Sequence, residues 1–268
     1  MYTLENLCRD IALPEEVTLQ VLALDKTLDV PQRHLLCKKE TWDEGLKQVE
    51  QALGEDPKGF KMLTLMLHTA VERKAVFEEK GIPEDIYIAT MSCFTRFVKE
   101  HMVSYGCYGF DRGFWTVRQL SLTVFRLGQL EYETTLHEGQ KIISIHIPNS
   151  SRLEQPLLRA SYDTAKKFFA DHYPDYAEVP YGCHSWLLSP NLKEILPESS
   201  RIRYFQDQFT LLGSEPSDDY LEWAFQRSDA SVENLPERTS LQRSIKAFLL
   251  KGGTFCNGMG TLIDEPFA

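Results

Sequence analysis

Apolar residues recur at helical spacing through the first hundred positions, and Pro, Gly or Asp cuts the pattern into segments. Leu13-Pro14-Glu15-Glu16 opens a helix through Val17, Val21, Leu24 and Leu28, with proline early and acids in its first turn. Thr41 caps a second that runs to Leu53, with Trp42, Leu46, Val49 and Leu53 on one face. Phe60 to Glu79 forms a third, closed by Gly81. Pro83 starts the longest, through Ile86, Ile88, Met91, Phe94, Phe97, Val98 and Met102 to a stop at Tyr105-Gly106. The periodicity describes a helical bundle.

The pattern changes where Gly106, Gly109 and Gly113 punctuate the aromatic stretch Tyr105 to Trp115, and alternation of period two follows. The join is placed there, giving domains over 1–112 and 113–268. Beyond it Trp115 to Leu122 reads as a short helix, Val124 to Thr134 as a strand, His137 to Gln140 as a turn and Lys141 to Ile147 as a second strand. Ser151, three residues ahead of Glu154, predicts a capping box on a helix whose buried stripe is Leu157, Leu158, Tyr162, Ala165, Phe168 and Phe169. Cys183 to Leu188 is a short strand, Asn191 to Leu196 a brief helix and Ile202 to Leu212 a long strand. Helices over Asp218 to Arg227 and Thr239 to Leu250 precede a closing strand, Thr254 to Ile263. The expected fold class is α/β (α+β), a helical bundle followed by a mixed sheet flanked by helices.

Composition narrows the function classes. A net charge of -10 disfavours a nucleic-acid partner, because phosphate binding needs clustered Lys and Arg, and it leans weakly toward amine-bearing ones. The six cysteines are scattered with no CxxC pair, so they read as reduced thiols and no metal is expected. The first ten residues lack the basic start and apolar run of a signal peptide, and no apolar run is long enough to span a membrane. A cytoplasmic protein with no membrane partner is the expectation; the oligomeric state stays open.

The order of elements from Lys141 onward resembles the second half of a GNAT acyltransferase. Arg118-Gln119-Leu120, Phe125 to Glu133, Ile145-His146-Ile147-Pro148, Cys183-His184-Ser185-Trp186-Leu187-Leu188 and Leu235 to Arg243 also resemble a family of acyltransferase-like proteins with a helical N-terminal domain and a GNAT-like C-terminal domain. The resemblance implies acetyl-CoA or another acyl-CoA as donor and a small-molecule amine as acceptor. It implies that the pantetheine meets a strand edge at Ile145 and Ile147, and that the pyrophosphate sits at the loop Pro148-Asn149-Ser150-Ser151-Arg152. That loop lacks the glycine such cradles carry, and a capping box on Ser151 would occupy its amides.

Alternation places Ile142, Ser144 and His146 on one face of their strand and Ile143, Ile145 and Ile147 on the other. His146 and His184 are the candidate general bases, since imidazole titrates near neutral pH, with a hydrogen-bonded core histidine as the plainer reading of each. Glu131 and Glu133 share a face from which GNAT enzymes often supply a carboxylate, and a solvated hairpin would look the same. Tyr132 is a candidate proton donor to the thiolate, although an aromatic in a strand usually packs. Gly258-Met259-Gly260 reads as a turn signal. Two functions follow: an acyl-CoA-dependent N-acyltransferase, or a non-catalytic GNAT-like module that binds a ligand or protein through a degenerate CoA site.

Overall fold

The computed structural model describes residues 2–226 and 231–267, and the chain divides into two compact units, Met1–Arg126 and Leu127–Ala268. The first is helical: α1 (Leu4–Asp10), α2 (Glu15–Asp25), a 3-10 turn (Pro31–Cys37), α3 (Trp42–Leu53), α4 (Phe60–Glu79), α5 (Glu84–Met91), α6 (Cys93–Tyr105) and α7 (Gly113–Leu120). Leu63, Leu65, Met66, Leu67 and Ala70 are all buried, so α4 is apolar around most of its girth and forms the centre of the bundle. The long helix expected from Pro83 is two, broken at Ser92. Its hydroxyl donates to the Ile88 carbonyl at 2.7 Å, a back-bond that bends helices. α7 belongs to this unit, because Thr116 Oγ1 meets Met66 Sδ of α4 at 3.0 Å. The division by contacts falls after Arg126.

The sheet comprises β1 (Val124–Leu127), at the boundary, and β2 (Leu130–His137), β3 (Gln140–His146), β4 (Tyr181–Ser185), β5 (Phe209–Pro216) and β6 (Cys256–Leu262) of the second unit, in the order β1-β2-β3-β4-β6-β5. From β2 onward, among the described residues, β3 pairs with β4 in parallel, and the β2–β3, β4–β6 and β5–β6 pairs are antiparallel. The helices are α8 (Gln155–His172), α9 (Leu192–Ile195), α10 (Arg201–Gln206), α11 (Asp219–Phe225) and α12 (Ser240–Leu249), with a 3-10 turn at Trp186–Leu188. The strand expected over Val124 to Thr134 is a hairpin, because Gly128 adopts φ 70° and turns the chain. Ile202 to Leu212 is not one strand: the Ser200 side chain accepts from the Ile202 amide, caps α10, and delays β5 to Phe209. Gly258-Met259-Gly260 lies inside β6 and makes no turn. Arg227, the expected last residue of its helix, lies outside the described residues; α11 ends at Phe225.

α8 covers one face of the sheet. Ser161 of that helix is the hub, donating to the Leu127 carbonyl while accepting from the Leu130 amide at 3.2 Å and, its own proton being spent, from Tyr132 Oη at 3.1 Å. The capping box expected at its start does not form. Ser151 Oγ instead donates to the Gln129 carbonyl at 2.6 Å, and Glu154 takes the cap position with Arg152 and Arg201 paired to its carboxylate. A second apolar cluster gathers Trp186, Leu187, Leu192, Tyr220, Phe225, Leu235, Ile245 and Phe255 around α9, α11 and α12.

Candidate active site

Pairing register fixes which side chains share a face, because residues opposite one another in a sheet point the same way. Glu131 opposes His146, Glu133 opposes Ser144, and Ser144 opposes Gly182, so Glu131, Glu133, Ser144, His146 and His184 stand together on the face opposite Tyr132. His184 opposes Met259, and Met259 opposes Gly213, which brings Glu215 onto the same face two residues further along β5. The β2–β3 hairpin, β4 and β5 thus present one polar surface.

The β3–β4 ladder ends at Ser144 and Gly182, whereas β3 continues to His146 and β4 to Ser185. The two strands fork there. His146 and His184 each sit two residues beyond the last pair, one on either prong. Each imidazole meets a carboxylate: His146 Nε2 lies 2.8 Å from Glu133 Oε2 and His184 Nε2 lies 3.1 Å from Glu215 Oε1. The pairs differ in solvation, with side-chain exposures of 21% and 10% for the first against 47% and 68% for the second. Only the His184 pair is open to a ligand arriving from water.

The remaining expected residues divide. Glu131 is buried directly across from His146, but the carboxylate joined to that ring is Glu133. Tyr132 faces α8, is fully buried and is bonded to Ser161, so the fold separates it from both imidazoles. Tyr132→Phe should lower stability by about 1 kcal/mol, the net worth of one buried hydrogen bond, and leave turnover unchanged; a large loss of kcat with stability intact would restore Tyr132 as a proton donor. Cys183 shares the Tyr132 side, where burial pushes its thiol up to about 12 and holds it protonated. Ile145 is buried on the Tyr132 side of the sheet and Ile147 packs on the Trp186 cluster.

In the loop after β3 the Ser151 amide donates to the Pro148 carbonyl at 2.9 Å and the Arg152 amide to Gln129 Oε1 at 2.8 Å. Asn149 and Ser150 are exposed, and among the described residues their amides take no hydrogen bond. Gln129, in the β1–β2 turn, ties the loop down by both its carbonyls, and no local sequence signal announces that. Glu215 was equally invisible, since the expected strand stopped at Leu212. Among the described residues no cluster of three or more His, Cys, Asp or Glu is placed to hold a metal ion, and no helix is long and apolar enough to cross a membrane.

Comparison with known proteins places this geometry. The family described as GNAT-like C-terminal domain matches residues 124–262, and that described as N-acyltransferase N-terminal domain matches residues 2–122. An acyltransferase solved in complex with decanoyl-CoA and teicoplanin is similar over 96% of this chain and 86% of its own, at 22% identity and a TM-score of 0.81. A mutant acyltransferase solved with octanoyl-CoA gives the same shares at 24% identity and 0.79. At such identities the likeness speaks for the fold. No curated protein matches the chain.

Proposed function

Since this chain belongs to the acyltransferase family that joins a helical N-terminal domain to a GNAT-like C-terminal domain, we propose that it transfers an acyl group from an acyl-CoA to an amine. The observation that carries the reading is the β3–β4 fork with an imidazole on each prong. Past Ser144 the β3–β4 ladder has ended, and the strand edge there suits the amides of a pantetheine arm. The Asn149 and Ser150 amides ahead of α8 suit its pyrophosphate.

His184 acts as general base. As the amine nitrogen bonds to the thioester carbonyl carbon, its proton passes to His184; the C–S bond breaks, and the thiolate leaves as thiol by recovering that proton. Glu215 orients the ring and stabilises the imidazolium. His146, tied to Glu133, forms the floor of the fork. The relatives solved with octanoyl- and decanoyl-CoA make medium-chain thioesters donors to test beside acetyl-CoA, and the one holding teicoplanin widens the acceptor from small amines to glycopeptides. A cytoplasmic location accords with acyl-CoA supply and with cysteines that are all free.

A non-catalytic module is the second reading, favoured by the two loop amides already engaged by Pro148 and Gln129. Calorimetric and thermal-shift titration with acetyl-, octanoyl- and decanoyl-CoA tests both. Saturable binding with a rise in Tm is expected. No heat and no shift with any of the three would remove the enzyme reading; tight binding without thiol release in the presence of amines would favour the module.

A further inference from the structure

Just past the C-terminal end of β4, the end at which the fork opens, lies a buried amide with half its hydrogen bonding unmet. Asn257 of β6 is only 6% exposed, pairs in register with Glu215, and stands two residues from Met259, the partner of His184. Alternation therefore puts Asn257 on the His184 face. Its Nδ2 donates to Asp219 Oδ2 at 2.7 Å, whereas its Oδ1 is buried and has no partner among the described residues. Buried amide oxygens are nearly always satisfied, so one left open beside a candidate site asks for a donor.

The charge around it specifies which donor. Residues 209–226 contain Glu215, Asp218, Asp219 and Glu222 and no Lys or Arg. Glu215 is paired with His184, and Asp219 has a neutral amide for its partner. A carboxylate and an amide oxygen, locked together by the Asn257–Asp219 bond, offer acceptors to a group that is cationic and has donors only, which describes a primary ammonium. His184 is a diagonal neighbour across the sheet, roughly 7–8 Å away by backbone spacing. We propose that Asn257 and Asp219 form the docking subsite for the ammonium of the acceptor, holding it on the His184 side of the fork until it has released one proton to water and attacks as the neutral amine, whose second proton passes to His184. The assignment rests on the acyl-transfer reading and adds to it a binding site and a charge class of substrate.

Glucosamine and its neutral twin glucose are suitable probes, titrated into the full chain by saturation-transfer NMR with and without octanoyl-CoA. Glucosamine should bind and glucose should not. Asp219→Asn, at an exposed carboxylate, and Asn257→Leu, which removes the open oxygen, should each weaken glucosamine by about tenfold and leave octanoyl-CoA binding within about twofold, as expected for one charge-assisted contact. Equal binding of the two sugars, absence of glucosamine binding, or indifference to both substitutions would overturn the subsite. The octanoyl-CoA titration separates that failure from failure of the acyl-transfer reading itself.

Discussion

Replacing His184 by Gln lowers kcat by about 10²–10⁴-fold, the range that one positioned acid–base group supplies, with the KM for acyl-CoA nearly unchanged. The expectation follows from solvation as much as from chemistry. Both imidazoles stand on the fork, but the His184 ring is about half exposed and the His146 ring is mostly covered, with a carboxylate that is itself buried. A base must meet an amine arriving from water and change charge during turnover, which the open pair does at less cost than the covered one. His146→Gln should therefore show its main effect as lost stability, because it removes the imidazole from a buried carboxylate. Glu215→Gln should reduce kcat by about tenfold through loss of ring orientation, and Glu215→Asp should recover part of it. Thiol release followed with octanoyl-CoA and a saturating amine is the measurement. A His184→Gln enzyme that keeps most of its kcat would end the assignment.

The helices were the most legible part of the sequence, and α4 is the clearest, since Phe60 to Glu79 is bounded by the same residues in pattern and structure. Long periodic segments average over local exceptions. Short ones do not, and Ser92, Gly128 and Ser200 each changed an element through a single backbone turn or side-chain cap. Ile202 to Phe205 is β-prone by composition, yet its neighbour Gln206 donates to the Leu187 and Ser189 carbonyls at 2.8 Å each, contacts that fix α10 from outside the segment. At the site, alternation and resemblance pointed to His146 and His184, which the register sets on one face of the sheet. Their carboxylate partners were not legible in the same way. Glu133 meets His146 from the diagonal position in the β2–β3 register, and Glu215 meets His184 across β6, which inserts between β4 and β5. Strand order and stagger are long-range properties that no local window carries.

Gly258→Val destabilises the second unit by about 3 kcal/mol, at the upper end for overpacking a well-filled core. The reason is a close backbone approach. A Cβ built on Gly258 would lie 2.3 Å from the Leu188 carbonyl oxygen and 2.7 Å from its carbon, and backbone atoms cannot swing aside as a side chain can. The turn that would have to yield is fixed on several sides: the Leu187 amide donates to Ser185 Oγ, the Ser189 amide to the Trp186 carbonyl, and Gln206 Nε2 to the Leu187 carbonyl. Gly213 is the matched control, since it lies in the neighbouring strand with nothing within 4 Å of a Cβ, so Gly213→Ala should shift stability by no more than about 0.5 kcal/mol, as at other open surface positions. Urea unfolding compares the two. Equal midpoints would show that β6 does not press on the turn. A large difference has a functional corollary: Gly258 opposes Ser185, the residue after His184, so whatever strain the valine leaves in the folded fraction displaces the prong that carries the base, and kcat per folded molecule falls with the midpoint.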